Sequence, residues 1–186
     1  MLVSIAVGYG MALLAASLAT VGLSSTIARA LRQQGVRTTP WVPDAQVAGL
    51  LLGQNLPGGL LGAVYAGAVG RMAWLVPEPP DSARFAEAFP ALRSVERLPC
   101  PARWQPWLIG GRHPLLAGVG GPGIWWHVGA PLLPMYGLRD ALATELATVC
   151  CAGGSEGPQL LTALALGRLG EAELLFCALP LAQGLA

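Results

Sequence analysis

"LLLGQNLPGGLLGA", residues 51–64, sets Gln54, Asn55, Pro57 and a pair of glycines in the middle of an apolar run. Two readings compete for it. The polar interruption is either a loop joining short elements, or a break within a segment that crosses a bilayer. No charged side chain occurs from residue 45 to residue 70, and a membrane span needs about 20 predominantly apolar residues. Length therefore favours the bilayer.

Composition points the same way. The 186-residue chain is 54% hydrophobic and only 11% charged, against about 25% charged in ordinary globular domains. So few charges leave little polar surface to cover a water-soluble core, whereas a lipid-embedded chain has less water-facing area. All eleven basic residues are arginine, in keeping with a GC-rich coding sequence, and the formal net charge is +1. That balance excludes an electrostatic footprint for nucleic acid. Cys100, Cys150, Cys151 and Cys177 form no C-x-x-C pair and no disulfide framework. No metal site and no cofactor is read from the sequence.

Charge-free windows occur at residues 1–28, 45–70 and 113–138. The first, "MLVSIAVGYGMALLAASLATVGLSSTIA", has no proline and is followed by Arg29 and Arg32. A cleaved signal peptide is its rival, but a basic n-region is missing. The second window is bracketed by Trp41 and Trp74, residues suited to the membrane–water interface. Within it Gly58, Gly62, Ala66 and Gly70 recur every fourth residue, and Gly8, Ala12 and Ala16 repeat the spacing in the first window. Rows of small residues let helix backbones approach closely in lipid. The expectation is a transmembrane helical hairpin over residues 1–76, with Pro40 and Pro43 in its turn.

On that reading Gln54, Asn55 and Pro57 sit near mid-membrane. Pro57 cannot donate a backbone hydrogen bond, and unpaired backbone groups in lipid cost several kcal/mol. The break is then a proline kink whose amides bond a partner helix, or a discontinuous helix whose ends meet a solute. Two short helices, 45–56 and 58–74, joined by a loop at an interface remain a third arrangement.

The rest of the chain divides by polarity. Residues 77–112 hold much of the charge and form a polar extramembrane segment with a short amphipathic helix. Residues 113–138 are Gly/Pro-rich, a third span or re-entrant piece, with Trp125 and Trp126 as further interface anchors. Residues 139–186 read as short helices. Gly153, Ser155 and Gly157 match G-x-S-x-G, yet no Asp or His follows Ser155, and His113 and His127 both precede it. No catalytic residue is assigned.

Together these observations predict an all-α, integral membrane protein with two to four spans. Its partners are the lipid bilayer and other membrane subunits, without nucleic acid. Its function is that of a non-catalytic accessory or assembly subunit of a membrane complex. The alternative is a transporter or channel component using the break at Gln54–Gly59. A soluble or secreted helical protein, or an unselected reading frame, is the remaining possibility.

Overall fold

The structure is a computed structural model describing residues 18–33, 35–54, 56–76, 78, 94–97, 104–107, 126–127, 130–131, 134–139, 144–151 and 159–182. In chain order these form β1 (Leu18–Val21), α1 (Ser25–Gln33), β2 (Thr38–Pro40), β3 (Val47–Leu52), α2 (Leu60–Tyr65) and β4 (Val69–Leu75). There follow β5 (Ser94–Arg97), β6 (Trp104–Trp107), β7 (Trp126–His127), β8 (Ala130–Pro131) and β9 (Tyr136–Arg139). The last three are β10 (Thr144–Cys151), β11 (Gln159–Leu169) and β12 (Ala172–Cys177). The chain is sheet-dominated, and the all-α hairpin expected over residues 1–76 is overturned.

Ten strands make one mixed sheet, running β2-β1-β3-β4-β12-β11-β10-β6, with β9 pairing both β11 and β5. From β2 to β12 every pairing is parallel. From β12 outward, β11, β10, β6, β9 and β5 pair antiparallel. β12 joins the two halves: Leu174 lies beside Met72 of β4 on one edge and Gly167 of β11 on the other.

The physical reason for the misreading lies in the parallel half. Successive side chains of a strand point to opposite faces. Leu50, Leu52, Met72, Trp74, Leu174 and Phe176 enter one core cluster, while Leu51, Ala73, Leu75, Leu175 and Cys177 alternate with them and are also buried. Strands covered on both faces read as continuous apolar runs without a period of two. Two such runs, with a short helix between them, imitate one long hydrophobic segment.

Local chemistry fixes both helices. Ser24 caps α1, its hydroxyl oxygen accepting from the Ile27 N–H at 3.3 Å, which satisfies one of the unpaired donors of the first turn. Gly35, with φ +76°, ends the helix: its N–H donates to the Arg32 carbonyl, and the Val36 N–H reaches back to Leu31. α2 closes the same way at Gly67, whose N–H donates to Val64 while the Ala68 N–H donates to Ala63. Both ends are left-handed glycine caps. Leu60 and Val64 of α2 pack into the first-face cluster, whereas Ile27 of α1 lines a recess together with Leu75 and Leu179 on the second face. Helices on opposite faces are what right-handed crossovers leaving β1 and β3 in opposite directions produce.

Among the described residues no helix is long and apolar enough to cross a membrane. The integral-membrane location therefore loses its basis, and the Gly58–Gly70 row does not lie on one helix. Gly58 is in a turn, Gly62 in α2, Ala66 at its end and Gly70 in β4. Gly8, Ala12 and Ala16 lie outside the described residues.

Candidate binding crevice

Both β1 and β3 end in a glycine followed by a turn into a helix, and the two turns meet. The Gly53 N–H donates to the Val21 carbonyl at 2.8 Å. A Cβ placed on Gly53 would overlap the carbonyl oxygen of Gly22, so only glycine permits this approach. Gly22 itself has φ +62°. The chain leaves β1 for α1 and β2 on one side, and leaves β3 for α2 and β4 on the other. This is a topological switch point, and ligands of open α/β sheets bind in the crevice outside the strands' carboxyl ends there.

A crevice of about 180 Å³ occupies that place. Gly22, Ser24, Gly53 and Gln54 line its side nearest the switch; Leu75, at the end of β4, and Leu179 and Leu181, beyond β12, line the opposite side. Leu23, Ile27 and Ala182 complete the wall. The lining is mainly apolar, and none of the described residues forming it is ionisable.

Hydrogen bonds behind the wall hold it in place. The buried Trp74 indole N–H donates to the Gly53 carbonyl at 3.0 Å. The Gln54 side-chain amide donates to the Glu78 carbonyl at 2.8 Å and accepts from the Glu78 N–H at 3.4 Å. One side chain thus ties the β3–α2 turn to the segment leaving β4. The Tyr136 hydroxyl donates to the Val76 carbonyl at 2.6 Å. The Tyr136 and Trp74 rings each meet Phe176 edge-on, with centroids 6.3 and 6.2 Å apart.

Two buried titratable groups at this end of the sheet, Tyr136 and Cys177, are neutral. Burial raises the Tyr136 phenol well above its ordinary value, with a smaller contribution from Cys177. Burial also pushes the Cys177 thiol up to about 12, against a smaller lowering by a hydrogen bond from the Leu179 backbone. A thiol so protonated is a small hydrophobe and a poor nucleophile. No group of three or more potential metal ligands gathers among the described residues. The geometry can bind and orient a small molecule; among the described lining residues Ser24 carries the one hydroxyl, and no ionisable side chain accompanies it.

The residues singled out in the sequence are scattered. Gln54 lines the crevice, and Pro57 lies in the turn before α2, its carbonyl accepting from the Leu60 N–H. Trp74 is 1% exposed inside the core, not at an interface. Trp41 is half-buried against the same core, and its indole nitrogen has no hydrogen-bond partner among the described residues. Trp126 lies in β7, whereas Asn55, Trp125 and the Ser155 motif fall outside the described residues. The accessory-subunit and transporter readings both required the helical hairpin and fall with it. Ser24, Gly22 and Gly53 were missed. Their signal was present as a strand-like apolar run, a glycine and a helix start in "LATVGLSSTIA" and again in "LLLGQNLPGGLLGA".

No protein-family model and no curated protein matches the chain. Two solved structures resemble it, both beta-galactosidases. For that of Rahnella sp. R3 the identity is 14% and the TM-score 0.47, covering 91% of this chain and 29% of that one. For that of Bacillus circulans sp. alkalophilus the identity is 10% and the TM-score 0.50, covering 91% of this chain and 30% of that one. The chain spans less than a third of either enzyme's length. At these identities the second likeness speaks to the fold alone, and the first carries no weight.

Proposed function

We propose that the chain is a non-catalytic ligand-binding domain whose site is the crevice at the carboxyl ends of β1, β3, β4 and β12. One observation carries the reading: at the switch point of the parallel strands lies a preformed, mainly apolar recess lined by Ser24 and Gln54 but by no ionisable side chain among the described residues. Recesses of this kind, apolar with a few placed polar groups, are where small molecules bind. Glycoside hydrolysis, the chemistry of the Bacillus circulans enzyme of similar fold, usually needs two carboxyl groups flanking the scissile bond. The described lining of the crevice supplies neither.

Thermal unfolding with a panel of small neutral molecules, on the wild-type chain and on Ala182→Phe, tests this. A ligand at ten times its Kd stabilises the folded state by about 1.4 kcal/mol, a rise of about 3–5 °C in Tm for a chain of this size. The rise is expected in the wild type and is expected to vanish in the variant, where the larger side chain fills the recess. A panel that leaves the wild type unmoved, or moves both proteins equally, overturns the proposal.

A further inference from the structure

Resting on that reading, the geometry points to a ligand class: a small uncharged ring, of benzene to indole size, carrying one hydrogen-bond acceptor. Size comes first. The crevice measures about 180 Å³, and an apolar protein cavity of about 150 Å³ holds benzene. A nucleotide or a disaccharide is too large for it.

Polarity comes next. Leu23, Ile27, Leu75, Leu179 and Leu181 make an aliphatic wall that suits a ring face and leaves a polar atom unpaired. A buried hydroxyl without a partner costs on the order of 1–3 kcal/mol. A hexose has a hydroxyl on nearly every carbon, whereas the described lining residues include two polar side chains, Ser24 and Gln54. Neutrality follows from the same wall: a carboxylate or phosphate would lose water there beside no cationic side chain among the described lining residues.

The remaining polar valences choose the hydrogen-bond sense. The Ser24 oxygen accepts from the Ile27 N–H, which leaves its O–H proton to donate. The Gln54 carboxamide spends one N–H and one oxygen lone pair on the Glu78 backbone, which leaves its second N–H unspent. Each side chain thus keeps one donor, and a single ligand atom that can take up both is a carbonyl, ether or hydroxyl oxygen.

Titration of the full chain, followed by backbone and methyl NMR, tests the class with phenol and anisole, whose oxygens accept, and with benzene, galactose and inorganic phosphate as probes. Phenol is expected to shift the signals of Ser24, Gln54, Ile27 and Leu179, and to bind at least tenfold more tightly than galactose or phosphate. Phenol is expected to bind several-fold more tightly than benzene, and Ser24→Ala is expected to erase most of that ratio. The ratio within one variant is insensitive to any loss of stability from the missing helix cap. Ile27→Trp, which fills the recess from the helix side, and Ala182→Phe are each expected to weaken phenol at least tenfold, so that one folded variant suffices. Galactose or phosphate binding at these residues more tightly than the rings overturns the ligand class and leaves the binding crevice standing. If no probe shifts these signals, the class and the crevice reading fall together.

Discussion

The parallel strands have two unlike ends. At their amino ends the polar contacts are charged and exposed: Arg71 of β4 pairs with Glu173 of β12 at 2.9 Å, and Arg168 pairs with Glu171 across the β11–β12 turn. Tyr65 stands there 63% exposed. At the carboxyl ends two neutral contacts are buried, from the Trp74 indole to Gly53 and from the Tyr136 hydroxyl to Val76. The same two strands, β4 and β12, therefore carry a half-exposed charged pair near their starts and finish in a dry core. A hydrogen bond in a dry site is costly to break, because the surviving partner is left unsatisfied. An exposed ion pair is screened and contributes little. The difference teaches where rigidity is concentrated: at the end that carries the crevice.

The largest effect that would test this contrast is at Gly53. In Gly53→Ala the new methyl overlaps the Gly22 carbonyl, a backbone atom that cannot swing aside, so the two turns must separate. Overpacking of this kind costs about 3 kcal/mol or more when the backbone cannot relax. Gly62→Ala is the control, since Gly62 lies in α2 with open space around its Cβ position. Helix propensity alone makes that change neutral to stabilising by up to about 1 kcal/mol. Chemical denaturation of both variants measures the gap. Equal stabilities would mean that the meeting of the turns is slack, and the carboxyl end would lose its claim to be the rigid one.

How much of this could be read from the amino-acid string? The boundaries were visible. "GQNLPGG" carries turn residues at the point where β3 ends and α2 begins, and such punctuation between short apolar runs marks element ends. What misled was the absence of alternation. "LLL" in β3 and "MAWL" in β4 are apolar on consecutive positions because both faces of the strands are covered there, and hydropathy cannot separate that from an apolar helix. The low charge content had a similar source: the parallel core uses little charge, and Arg71 and Glu173 sit where the strands emerge. The partnership of β4 with β12, about a hundred residues later, left no local trace. Nor did the crevice, which is built from four strand ends that only this pairing brings together. Gln54 stood out as a polar residue in an apolar run; its grip on the Glu78 backbone depends on two loops that adjacent parallel strands place side by side.

Alkaline titration sharpens the comparison at a smaller scale. Cys177 closes β12 at the dry end, and burial pushes its thiol from an ordinary value near 9 to about 12. The unfolded thiol ionises first, so the folded state binds the extra proton. Stability is then fully present below about pH 9 and falls as pH rises toward the folded value. From pH 8 to 10 the expected loss is about 1.4 kcal/mol from this group. The Tyr136 phenol is raised in the same direction and adds its share only above pH 10, the ordinary phenol value. Cys177→Ala is expected to flatten the pH 8–10 slope whatever it does to stability at pH 7. A slope unchanged by that substitution would place the thiol in contact with water.

The smallest effect belongs to the amino end. Arg71 and Glu173 are register partners on adjacent parallel strands, and their side chains are 40% and 42% exposed. At that exposure solvent screens the attraction, and ordering two long side chains opposes it. A double-mutant cycle through Arg71→Met, Glu173→Gln and the double variant is expected to give a coupling of about 0.5 kcal/mol, and below 1. In 0.5 M NaCl, where the screening length is only a few ångströms, the coupling is expected to fall further. The cycle removes whatever each residue does with other neighbours, which single substitutions would not. A coupling above about 2 kcal/mol that survives salt would show the pair to be desolvated, and the amino end would then be as dry as the crevice end.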